Sequence, residues 1–163
     1  MISHTIAYLF RILLMLSLTL GVSEGKPIQV LSGGSISDGL DLSRIRIGEH
    51  IGYTRIVFDI KYWKGYGAPK AGTSSDSTGH YKFTLDQNNS IEIEFSGFRS
   101  SSTKEISVSG HSMVQSIKRL KGEAYGDDSS VFYRIGLRGP ARLKVFHLYN
   151  PARIVLDIYT VEQ

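Results

Sequence analysis

The chain has 163 residues with 19 Lys and Arg against 15 Asp and Glu, a formal net charge of +4, and no cysteine. The absence of cysteine excludes a disulfide framework and a lipid-attachment cysteine, and the length suits a single domain able to build a core unaided. A modest positive charge with no dense basic run argues against nucleic acid as partner and is compatible with anionic surfaces.

Residues 1–25 read as a secretory signal peptide. A short segment ending in Arg11 precedes the apolar run Ile12–Val22, and small residues follow. That run is shorter than the roughly 20 residues needed to span a bilayer, so cleavage is favoured over anchoring, after either Ser23 or Gly25. No membrane span is then expected in the mature protein. Removal takes away one base, Arg11, and one acid, Glu24, so the mature charge stays at +4. An exported domain without disulfides points to a bacterial envelope protein, periplasmic or secreted.

Residues 26–41 contain Ile28 and Val30 and then a Ser/Gly-rich stretch, which suits a flexible N-terminal segment or an edge strand. From Leu42 the pattern changes. Ile45–Ile47, the turn-like Gly48–Gly52 and the alternating Arg55–Lys61 predict a hairpin-like pair of strands. Tyr62, Trp63 and Tyr66 form an aromatic patch ahead of a Gly/Ser/Thr-rich surface loop at 67–79. A second hairpin is predicted from Tyr81–Leu85 and Ser90–Phe95 around Asp86–Asn89. Lys104–Ser109 reads as a short strand. In His111–Leu120, three-residue steps through Met113 or Val114, Ile117 and Leu120 suit one short helix, and a twisted strand fits as well. Val131–Leu137, Leu143–Leu148 and Arg153–Tyr159 supply three further strands. The expected fold is all-β, a single-domain sandwich over 42–163, with a short helix near 111–120 as a possible addition.

Arg55-Ile-Val-Phe-Asp-Ile60 and Arg153-Ile-Val-Leu-Asp-Ile158 form a weak internal repeat. Within each copy Arg and Asp stand four residues apart, about 13 Å along a strand, too far to pair internally. Antiparallel pairing of the copies would set Arg55 by Asp157 and Arg153 by Asp59.

The blocks Ile45–Ile60 and Phe146–Ile158, the latter with its Asn-Pro-x-Arg and β-branched run, resemble the AMIN and AMIN-like domains found at the N-termini of bacterial cell-wall amidases. The resemblance covers roughly Leu42 to Val161. It implies a sandwich of two small related sheets, an extracytoplasmic location, and binding to peptidoglycan or to envelope assemblies. It marks Gly52, Arg55, Asp59, Pro151, Arg153 and Asp157 as family-motif positions with a structural role. No effector domain follows the block up to Gln163, which suggests a stand-alone wall binder or an adaptor.

Catalysis finds little support. The five histidines are isolated, so neither a zinc-ligand spacing nor any other cofactor site is indicated. No Gly-x-Ser-x-Gly elbow is present, and Glu92 and Glu94 read as the solvated side of an edge strand. No catalytic or metal residues are assigned. Binding is expected instead, noncovalently, to peptidoglycan or an envelope protein. Candidate contacts are Tyr62, Trp63 and Tyr66 for stacking, and Arg119 and Arg138 for carboxylates. The rival expectation is a structural or adaptor subunit that pairs a strand edge with a protein partner.

Overall fold

The computed structural model describes residues 28–65, 70–126 and 128–161. The expected signal peptide and Tyr66 lie outside them. Ten strands follow one another: β1 (Gln29–Gly34), β2 (Leu40–His50), β3 (Tyr53–Tyr62), β4 (His80–Leu85), β5 (Ser90–Ser96), β6 (Phe98–Ser101), β7 (Val114–Leu120), β8 (Ser130–Leu137), β9 (Ala141–Leu148) and β10 (Arg153–Thr160). They form two five-stranded sheets, ordered β1-β4-β5-β8-β7 in the first and β6-β2-β3-β10-β9 in the second. The all-β sandwich expected from the alternating segments is the observed fold.

Period-two alternation gives each strand an apolar side, and the two sheets bury these sides against each other. Ile56, Phe58 and Ile60 of β3 and Ile154, Leu156 and Ile158 of β10 come from the second sheet. Phe83 of β4 and Phe95 of β5 meet them from the first. Phe58 bridges the layers, its ring centroid 5.9 Å from Phe83 and 5.1 Å from Phe95. The β4–β5 turn is closed by Asp86, whose carboxylate accepts from the backbone N–H of Asn88 and of Ser90.

One seam between the sheets is stitched by a side chain acting as backbone. The Gln29 amide donates to the Leu143 carbonyl and accepts from the Leu143 N–H, each at 2.9 Å, joining edge strand β1 to edge strand β9. The sandwich therefore draws in residues ahead of Leu42, because β1 pairs along its whole length with β4. At the same seam Tyr81 hydrogen-bonds His147 at 3.0 Å. A Cβ at Gly33 would come within 2.5 Å of the Tyr81 hydroxyl, so glycine makes room for that bridge.

Three expectations need correction. His111–Leu120 holds no helix: Val114–Leu120 is strand β7. A bulge between Val114 and Ser116 sets Val114 opposite Leu137 and Ile117 opposite Ile135. The inserted residue turns a two-residue period into a three-residue step, which imitates a helical spacing. Lys104–Ser109 is not a strand, although Ile106 and Val108 pack against the core. Its alternation reflects burial without a ladder. The strand that is present, β6, lies just upstream and runs parallel to β2. It is anchored by the buried Asp41, which accepts from the hydroxyls of Ser100 and Ser102 and from the Ser102 N–H. Finally, β5 is the middle strand of its sheet, so Glu92 is not on an edge; it pairs with Arg134 of β8 at 2.9 Å.

Glu49, at the end of β2, fastens the turn ahead of β7. It accepts from Thr54, from the N–H and hydroxyl of Ser112, and is 3.2 Å from His111. Burial pushes the Glu49 pKa up, but these hydrogen bonds together outweigh it and hold the group below its ordinary 4.5. A depressed carboxylate contributes stability that is fully present above its unfolded pKa and is lost as pH falls through the folded value. Chemical unfolding measured from pH 6 down to about pH 3 should therefore show the wild type losing more stability than Glu49→Gln. The difference between the two proteins shrinks as Glu49 protonates.

Candidate binding face

The repeat copies are neighbours. β3 and β10 pair antiparallel in the register that sets Arg55 opposite Asp157 and Arg153 opposite Asp59. The first cross-strand pair forms an ion pair. Arg55 donates from Nε and from a terminal nitrogen to the two Asp157 oxygens at 2.7 and 2.8 Å. Asp157 is only 2% exposed. Such a fork supplies both geometry and charge compensation to a carboxylate that burial would otherwise penalise. The Arg55 guanidinium lies 5.3 Å from the centroid of Tyr53 and 5.5 Å from that of Phe146. The hydrogen bonds to Asp157 raise its pKa further, so it stays charged.

The second pair is not made. Asp59 is taken by Arg46 of β2, which donates at 2.7 and 2.8 Å. Arg153 has instead a single 3.3 Å bond from Nε to the Pro151 carbonyl. Its two terminal nitrogens have no hydrogen-bond partner among the described residues. The Asn150–Pro151 bond is cis, and Gly52 takes a left-handed φ of +85° in the β2–β3 turn, where a side chain would be strained.

Alternation puts a common set of residues on the outer side of the second sheet: Arg46 and His50 of β2, Tyr53 and Val57 of β3, Val155 and Tyr159 of β10, and Phe146 of β9. Val155 faces outward yet is only 3% exposed, because these side chains close around it. His50 stacks on Tyr53 at 4.7 Å, and Arg142 lies 5.0 Å over the Tyr159 ring. A shallow hollow of about 350 Å³ opens between Arg46, His50, Arg55, Phe146, Arg153 and Val155. Its walls offer guanidinium donors beside ring faces and a small apolar floor. That combination suits a ligand carrying both carboxylate groups and flat apolar faces.

The contact residues expected from sequence are scattered. Tyr62 ends β3 and hydrogen-bonds Asp76, with Lys70 5.3 Å from its ring. Trp63 follows, its N–H donating to the Gly39 carbonyl. Arg138 lies at the other end of the sandwich, in the β8–β9 turn, where its N–H meets the Met113 carbonyl. Arg119 is on edge strand β7 and donates to the Ser101 carbonyl at 3.3 Å. They do not compose one site. The sequence does not single out Arg46, Tyr53 or Phe146, and their one signal is the period that places them on the side of Arg55 and Arg153.

Two histidines are taken up by such local contacts: His111 by Glu49, and His147 by Tyr81 and Tyr149. Among the described residues no group of His, Asp and Glu is arranged to hold a metal ion.

These features define an all-β sandwich module whose distinctive chemistry lies on a sheet face. Residues 40–160 match the AMIN-like domain family, and the chain belongs to it. AMIN-like domains are non-catalytic modules related to those at the N-termini of cell-wall amidases, and they are typically periplasmic. Comparison with curated proteins and with solved structures found no match.

Removing one partner of the Arg55–Asp157 pair should be costly. Asp157→Ala is expected to lower the unfolding free energy in urea by about 2–3 kcal/mol, since Arg55 keeps some contact with water. Glu92→Ala, which removes an exposed pair of the first sheet, should cost less than about 1 kcal/mol.

Proposed function

We propose that this protein is an exported, non-catalytic binding module of the bacterial envelope that attaches noncovalently to peptidoglycan through the outer face of its second sheet. The observation that carries the reading is the juxtaposition of Arg153, bonded to one carbonyl, with Phe146, His50 and the Asp157-held Arg55 around a shallow hollow. Guanidinium groups match the carboxylates of wall peptides, and rings can lie against sugar faces. Family membership supports an envelope setting. The apolar run at residues 12–22 supports export by a cleavable signal peptide.

A second reading, an adaptor that adds a partner's strand to a sheet edge, is favoured by one feature. β6 covers only Leu40–Leu42 of β2, so Arg44–His50 forms the margin of the sheet beyond it.

Co-sedimentation with isolated sacculi at low and high salt tests the leading reading. The wild type should pellet at both, Arg153→Ala and Phe146→Ala should each reduce the pelleted fraction, and Trp63→Ala should leave it unchanged. Pelleting at low salt alone would mean unspecific charge attraction, and a protein that stays in the supernatant would turn the search towards strand-edge partners.

A further inference from the structure

Among the described residues Arg46, Arg55, Lys70, Arg99 and Arg134 are each held by a carboxylate. Lys104, Lys118 and Lys121 have no ion-pair partner among the described residues, and Arg119 gives one N–H to the Ser101 carbonyl. All four of these line one cleft.

That cleft lies at the seam opposite the Gln29 stitch. There edge strand β7 of the first sheet faces β6 of the second, and the Arg119 bond to the Ser101 carbonyl and the Tyr133–Ser101 hydroxyl pair cross between the sheets. The cleft measures about 600 Å³, with Tyr133, Ser101 and Ile117 contributing its floor and walls. Glu105 is the sole acid on its lining. The Tyr133 and Ser101 hydroxyls hydrogen-bond each other at 2.6 Å. Burial raises the Tyr133 pKa, so it presents a neutral hydroxyl. A second hollow of about 280 Å³ continues beyond Arg119 and Lys121, against Leu120, Tyr125 and Phe132, with Asp128 the acid on its lining. The two hollows share those two cations, which makes one elongated concave strip.

We propose that this strip binds a phosphate-bearing polymer, a chain of sugars or polyols linked by phosphodiesters, at a site separate from the second-sheet face. No residue lines both this cleft and the hollow on that face. Arg119 and Lys121 are two residues apart, about 7 Å in extended chain, a separation of the same order as that of successive phosphates in an extended phosphodiester. Arg119 offers a planar fork to one phosphate, whereas Lys118, Lys121 and Lys104 act as point charges on its neighbours. A single chain can enter a concavity between sheet edges. A flat bilayer surface cannot follow it, which sets lipid headgroups apart from a polymer. The lysines also discourage strand addition to β7, in keeping with a side-chain site at this edge.

The test is titration of the purified protein with short-chain inorganic polyphosphate, followed by calorimetry and by amide chemical shifts. Polyglutamate and phosphatidylglycerol vesicles serve as the comparison ligands. Polyphosphate should bind with the largest shifts at Ser101, Lys104, Arg119 and Lys121. The triple variant Lys104→Gln, Lys118→Gln, Lys121→Gln should bind about tenfold more weakly at moderate salt. Lys61→Gln, Lys64→Gln, Lys82→Gln, an equal change of charge elsewhere on the surface, should bind nearly as well as wild type. The shift map on the unmodified protein keeps the test valid if the triple variant folds poorly. Equal weakening by both triple variants, shifts centred elsewhere, polyglutamate binding as tight as polyphosphate, or binding to vesicles alone would each overturn the proposal.

Discussion

Arg55 and Asp157 stand 102 residues apart in the chain and meet as a two-pronged ion pair in the middle of the second sheet. The Asp157 carboxylate is almost completely buried on what is nominally the outer side of that sheet. A buried carboxylate needs its partner, and the partner is in place only when β3 and β10 are paired in one register. Slipping either strand by one residue would turn Ile56, Phe58 and Ile60 outward and leave Asp157 without its counter-ion. Apolar burial on one side and charge compensation on the other thus select the same alignment. The hollow on the outer face, with Phe146 and Tyr53 packed about the Arg55 guanidinium, is a consequence of that alignment.

Much of this arrangement is legible in the chain, because the repeat carries both signals. Period two assigns Ile154, Leu156 and Ile158 to the core, and the Arg-to-Asp spacing forces each charge to seek a partner on another strand. The register follows, and so does the Arg55–Asp157 contact. The matching contact between Arg153 and Asp59 does not form although the two are opposite each other, since Arg46 of β2 reaches Asp59 first. Pairwise logic within the repeat has no access to a third strand. The β7 bulge and the parallel strand β6 are hidden for related reasons. One depends on an inserted residue that mimics a helical step, and the other on the long-range anchoring of Ser100 and Ser102 to Asp41.

The candidate contact residues are harder to read than the core. Burial imposes a period that a single sequence displays, whereas a contact surface needs only that unlike residues from several strands share a side. Tyr62, Trp63, Arg119 and Arg138 are conspicuous by type, yet they belong to an end, an edge and a turn far apart in the sandwich. Phe146 and Arg46 look ordinary in sequence and become notable only when β2 and β9 are placed around β3 and β10. The two seams show the same contrast. One is closed by the Gln29 amide and the Tyr81–His147 bridge, and the other, crossed by the Arg119 and Tyr133 bonds to Ser101, is lined with lysines.

The proposed wall-binding surface is the outer face of β2, β3, β10 and β9. Amide chemical-shift mapping with soluble glycan-strand fragments carrying their stem peptides addresses it most directly, because it locates contact without altering the protein. Shifts are expected to concentrate at Arg46, Val57, Phe146, Arg153 and Val155, with little change at Trp63 or along the first sheet. Shifts centred on Trp63 and the end of β3, or none at all under conditions where the protein pellets with sacculi, would contradict it.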